Sequence, residues 1–160
     1  MILSTHAVVG GALAGLFPSH PVAAFAVGFA SHFVIDAIPH WDYPLRSISV
    51  ARGARNQVRL TPALARDVAL IGFDAIVGLA LAIGIFATPS TIVAVLAGAV
   101  GAMLPDPLQF VHTLYPHEPL ASLQRFHRWM HTKRRLHWPI GVSSQVAFVA
   151  AVVGTTFAIF

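Results

Sequence analysis

From Val68 to Ala87 the chain runs twenty residues with a single charged side chain, Asp74. A segment of about 20 mostly apolar residues is what a lipid bilayer demands of a crossing helix. Other stretches read the same way. Residues 139–160 and 90–104 carry no charged group, and the second extends to about 112 through a Pro-interrupted end. Residues 22–38 are apolar apart from Ser31, His32 and Asp36. Ile2 to Phe17 is short for a crossing; it fits a short span, or one arm of a helical hairpin closed at Phe17-Pro18-Ser19-His20-Pro21. The predicted fold class is all-α: a polytopic membrane helical bundle, with residues 1–160 as one domain and about five transmembrane or membrane-embedded helices. Composition excludes the main alternatives. Asp, Glu, Lys and Arg make up 10% of the chain, against about 25% in soluble domains. A soluble globule could not hide a 56% hydrophobic chain of this length, and the same richness excludes disorder. The lack of Cys excludes disulfides, thiolate zinc sites and thiol redox chemistry.

The few charges are grouped. Arg46, Arg52, Arg55, Arg59 and Arg66 lie in or beside one segment, about 41–63, and Arg125, Arg128, Lys133, Arg134 and Arg135 lie in another, about 113–138. Basic loops stay cytoplasmic, so five spans predict a cytoplasmic N-terminus and an external C-terminus at an inner membrane. All three Trp and both Tyr fall in the same two segments and read as anchors at the lipid interface. Residues 119–137 read as a basic amphipathic helix on the membrane surface. Ala24-Phe25-Ala26 resembles a signal-peptide cleavage site, but no Lys or Arg precedes the apolar stretch. Gly11-x-x-x-Gly15, and Gly98 with Ala94 and Ala102, predict close helix packing and allow self-association into a homo-oligomer. No signal directs the chain to nucleic acid.

Histidine is the anomaly, with nine copies against six acids. His32 and Asp36 are four apart, so on a helix they share a face, and His40 continues the stripe past Pro39, which should end or bend the helix. Imidazole and carboxylate at this spacing bind one divalent metal, or Asp36 bridges two. A structural His–Asp hydrogen bond is the plainer alternative, but polar pairs inside a span are costly and point to function. His127 and His131 repeat the spacing. His6 opens the first span, and Asp106 sits in Leu104-Pro105-Asp106-Pro107 near the same end of span four. Asp67 and Asp74 share a face of span three, Asp74 about 10 Å deeper, and Asp42 follows His40. His20, His112, His117 and His137 have no partner at a telling spacing.

Thr5-His6, Ser31-His32-x-x-x-Asp36, Leu104-Pro105-Asp106 and His127-Arg128-x-x-His131 together resemble the membrane-bound, metal-dependent hydrolases, also described as LexA-binding, inner-membrane-associated hydrolases. More distantly, His32-x-x-x-Asp36-x-x-Pro39-His40 is similar to the helical zinc sites of bacterial phospholipase C and related single-strand nucleases. The resemblance spans most of the chain through short motifs. It implies a divalent metal and hydrolysis of a lipid-borne or membrane-adjacent phosphoester. Nitrogen and oxygen donors without sulfur make zinc the expected metal. His6, His32, Asp36, His127 and His131 are the expected ligands, with Asp106 and His40 as ligand, supporting partner or general base. Arg125 and Arg128 are candidates for phosphate oxygens, with Asp42, Asp67 and Asp74 as secondary site residues. Two rival classes remain at this point: a haem or metal carrier without hydrolysis, and a membrane adaptor that binds a soluble partner through its cationic segments.

Overall fold

The computed structural model describes residues 1–45 and 61–159. Arg46, Arg52, Arg55 and Arg59, expected in the first basic loop, lie outside the described residues. Among those described there are seven helices and no strand: α1 Leu3–Ala14, α2 Pro21–Asp36, α3 Pro62–Phe86, α4 Ile92–Met103, α5 Pro105–Leu114, α6 Leu120–Met130 and α7 Trp138–Ile159. Proline opens several of them because its missing N–H is not needed in a first turn. It does so at Pro21, Pro62 and Pro105. Thr61 adds a side-chain cap to α3, accepting from Leu64 N at 3.2 Å.

Two helices, α3 and α7, are long and apolar enough to cross a membrane. A third span results if α4 and α5, bent by 46° at Pro105, are taken as one broken crossing. The expectation of about five spans is therefore reduced to two or three. The reason is length: α1 and α2 have 12 and 16 residues, about 18 and 24 Å at 1.5 Å per residue, short of a bilayer core of about 30 Å. They form the arms of a hairpin closed around Pro18. The amphipathic helix expected over 119–137 also stops early, at Met130, because His131 turns extended (ψ 131°). From there the chain pairs its backbone with the end of α2: Thr132 N donates to Asp36 O at 2.8 Å and Leu136 N to His40 O at 2.9 Å.

The interior is inverted relative to a soluble protein. Alanine dominates the core, with Ala7, Ala14, Ala24, Ala82, Ala94 and Ala99 packed together. Val68, Phe73, Ile76 and Leu81 on α3, and Ile140, Val146 and Phe157 on α7, point outward and are exposed. Helices that cross a bilayer have no reason to bury large apolar groups and associate through close van der Waals contact between small residues, and this packing fits that pattern. The contact is closest where Gly10 of α1, Gly28 of α2 and Gly98 of α4 meet. A Cβ on Gly10 or Gly28 would collide with the carbonyl oxygen of Gly98, and one on Gly98 with that of Gly10. The first-helix approach falls on Gly10, against Gly98, and on Gly11, against Ala82.

Gly98→Ala must push backbone against backbone and should cost about 1–3 kcal/mol. A lowered thermal midpoint in mild detergent would show it. Gly84→Ala, with nothing within 4 Å of the added methyl, should leave the midpoint unchanged or slightly raised. Equal midpoints for Gly98→Ala and wild type would refute the close crossing.

Candidate metal centre

The largest fully buried side chains among the described residues include His6, His32 and His40, with Asp36 among them. These are the polar groups that a membrane bundle should least tolerate without partners. The last turns of α2 place His32 and Asp36 on one face, as the spacing predicts. The helix then ends at Asp36, ahead of Pro39, and His40 returns from just beyond it. α1 contributes His6, α6 contributes His127, and the extended segment after α6 contributes His131. Phe33 fixes the α6 side of the site, with its ring 4.9 Å from Phe126 and 5.5 Å from His127.

Asp36 is the centre. Its Oδ2 lies 3.3 Å from Nε2 of both His32 and His127, and 3.7 Å from Nε2 of His131. Its Oδ1 lies 3.2 Å from His6 Nε2, 3.8 Å from His40 Nε2 and 2.5 Å from the Met1 nitrogen. Two groups of side chains are arranged so that each could hold a metal ion. One is His32, Asp36, Asp106 and His127; the other is Asp36, His40 and His131, and the two share Asp36. In the first group, His32 Nε2 and His127 Nε2 are also 3.3 Å apart, and Asp106 Oδ1 stands 3.6 and 3.9 Å from them. Donors at about 2.0–2.1 Å from a tetrahedral ion stand about 3.3 Å from one another, so three of these separations match a four-coordinate site.

The orientation of the rings supports the same fit. His32 Nδ1 donates to Ala102 O at 2.8 Å, His40 Nδ1 to Ile38 O at 2.7 Å, and His131 Nδ1 to Thr132 O at 2.9 Å. A backbone carbonyl can only accept, so each Nδ1 carries a proton and each ring turns its Nε2 to the cluster. Metal-ligating histidines are held in this way. His6 is fully buried and stacked 4.0 Å from His32, its Nδ1 has no hydrogen-bond partner, and its Nε2 faces Asp36 Oδ1 at 3.2 Å. A half-partnered imidazole facing a carboxylate is what a site built for a cation leaves when only the protein is considered.

Exposure is graded across the centre. His6, His32, Asp36, His40 and His127 are closed off, whereas Asp106, His131 and Asp42 are 32%, 26% and 22% exposed and mark the open side. Asp42 Oδ1 lies 2.9 Å from His40 Nε2. Burial alone would raise the Asp42 carboxyl, but the His40 hydrogen bond and the nearby N-terminal charge outweigh it and hold it at about 2. Asp42 is thus an anion at neutral pH.

Several expected residues are employed elsewhere. Arg125 pairs with Glu118 at 2.9 Å and with Ser122 Oγ at 2.6 Å on the exposed side of α6, and Arg128 is also exposed there. Asp67 is buried, with the Arg66 guanidinium 4.0 Å from Oδ1, and belongs to neither donor group. Asp74 accepts from Ser4 N at 2.9 Å and from the Tyr43 hydroxyl. Tyr43, expected as an interface anchor, is half-buried and turns its hydroxyl to Asp74. Three participants escaped the sequence reading. Arg135, whose Nε is 3.9 Å from Asp42 Oδ2, is the arginine at the open side. Thr5 and Gln145 hydrogen-bond beneath the centre. Gln145 carries the one side-chain amide in the last span, a signal that attention to ionisable groups passed over.

Arg125→Ala should keep the wild-type metal content and thermal midpoint, because its partners are local and solvent-screened. Loss of bound metal in that variant, measured by elemental analysis, would return Arg125 to the centre. Comparison of the chain with protein-family models, curated proteins and solved structures finds no match.

Proposed function

We propose that this chain is a membrane-bound, divalent-metal-dependent hydrolase acting on a phosphoester at the cytoplasmic face of an inner membrane. The observation that carries the reading is the set of three 3.3 Å separations among His32 Nε2, His127 Nε2 and Asp36 Oδ2. The motif resemblance of His6, His32-x-x-x-Asp36, Asp106 and His127-x-x-x-His131 supports the same class. Nitrogen and oxygen donors at tetrahedral spacing favour zinc. His32, His127 and Asp36 would hold one ion, with Asp106 beside it on the open side, and His40 and His131 with Asp36 a second. A bound divalent ion lowers the pKa of water toward neutrality and polarises a phosphoryl oxygen.

The chain's own groups supply the remainder. Asp106 at the open lip is placed to accept a proton from a water that enters there. Asp42, an anion 2.9 Å from His40 Nε2 on the open side, adds negative charge beside the second donor group and is placed to pass a proton to a leaving oxygen. Arg135 at the opening offers a cation to an anionic group, as does Arg128 more distantly. The outward apolar faces of α3 and α7 contact lipid, and their starting ends, beside Arg66 and Arg135, face the cytoplasm by the positive-inside rule. A lipid-borne phosphoester suits that setting.

Protein purified in mild detergent should carry stoichiometric zinc and cleave an aryl phosphodiester. Asp36→Ala should lose all bound metal because both donor groups share that carboxylate, and His127→Ala should lose the first ion together with activity. Metal-free wild-type protein, prepared without chelators, would refute the reading. A Soret band abolished by His32→Ala would replace it with haem binding, and undiminished partner capture by metal-free protein would favour an adaptor.

A further inference from the structure

The first turn of α1 starts inside the bundle, where its N–H groups need protein acceptors. Each finds one on a different element. Ile2 N donates to Gln145 Oε1 of α7 at 3.0 Å, Leu3 N to the Tyr43 oxygen at 3.0 Å, and Ser4 N to Asp74 Oδ2 of α3 at 2.9 Å. The acceptors are themselves joined. The Tyr43 hydroxyl donates to Asp74 Oδ2, and Gln145 Nε2 donates to Trp41 O at 3.0 Å. Burial first, and then the Asp74 carboxylate, push the Tyr43 hydroxyl well above its usual range, so it stays protonated and remains a donor. α3 comes near enough because Gly78 faces Ser4: a Cβ on Gly78 would press on the Ser4 backbone.

The arrangement is set at one depth. Asp74 lies seven residues beyond Asp67, and Gln145 seven beyond Trp138, so each is about 10 Å further along its span. Both reach the same turn, and His6 is in it. His6 Nδ1 has no hydrogen-bond partner, so apart from the 3.2 Å approach of Nε2 to Asp36 the ring takes its position from the α1 backbone and from stacking on His32.

We propose that Asp74, Tyr43 and Gln145 are positioning residues for the metal centre: they hold the first turn of α1 so that His6 Nε2 meets Asp36. The inference rests on the metal-binding reading above. It differs from simple capping in one respect. Capping alone affects stability, whereas positioning makes the effect of each residue on metal affinity pass through His6.

The test is Co(II) titration of the full chain in detergent, read by visible absorption, for wild type, Tyr43→Phe, His6→Ala and the double variant. Partners that orient ligands typically alter metal affinity about 10–100-fold. Tyr43→Phe should bind Co(II) that much more weakly with an altered band, and adding it to His6→Ala should cost little more. Gly11→Ala, which crowds α1 against Ala82 far from the centre, should lose stability but keep wild-type affinity. If Tyr43→Phe fails to fold, Gln145→Ala takes its place in the same cycle. Wild-type affinity in Tyr43→Phe, or losses that add fully with His6→Ala, overturns the positioning role and leaves the metal reading intact. Absence of Co(II) binding in wild type overturns both.

Discussion

A single buried carboxylate organises this bundle. Asp36 faces five histidines, with His32, His127 and His131 nearest Oδ2 and His6 and His40 nearest Oδ1. An uncompensated ion in a low-dielectric interior costs several kcal/mol even after relaxation. The elements that supply its partners are therefore tied to one another through it: α1, the end of α2, α6 and the segment beyond α6. No other group in the described residues draws on so many parts of the chain. Removing Asp36 would leave several imidazoles with nothing to face, and removing one imidazole would leave the carboxylate short of charge.

Small residues make that convergence sterically possible. His6 and His32 stack at 4.0 Å, which requires α1 and α2 to approach closely. The meeting of Gly10, Gly28 and Gly98 supplies the approach without side chains in the way. α4 then serves both helices, and its Ala102 carbonyl fixes the tautomer of His32. The large apolar residues that would fill a soluble core stand on the outside instead, the pattern expected of helices that pack in lipid. Small residues at the crossings and polar groups at the centre are two parts of one solution.

Much of this was legible in the sequence. The apolar runs placed the start of α7 and the end of α3 within a residue, though α3 begins six residues ahead of the run that opens at Val68, and Pro105 marked the bend between α4 and α5. The i, i+4 pairing of His32 with Asp36 was a local fact of helical geometry and survived folding unchanged. His127 and His131 keep the same spacing, because His131 caps α6 and its N–H still bonds to His127 O at 2.9 Å before the chain turns extended. The number of spans was overstated because hydropathy registers apolar character but not whether the helix is long enough to cross, as α1 and α2 are not. The uses of Asp74, Tyr43 and Gln145 were hidden for a different reason. Each depends on contacts between residues 31 to 143 positions apart, which no periodicity encodes.

The pairing of the chain after α6 with the end of α2 has a further consequence. Thr132 bonds to Asp36 and Leu136 to His40, four residues on from each. The two segments therefore run in step, like parallel rails with equal tie spacing, and His131 sits one position before the first tie. A residue inserted or deleted in either rail would slip one past the other and carry His131 away from Asp36. Substitution is tolerable along these rails wherever a side chain points outward, but change of length is not. The turn between α3 and α4, far from the centre, is under no such constraint. Lineages of this chain should accordingly vary in length at that turn and hold a constant count between Asp36 and His40 and between His131 and Leu136.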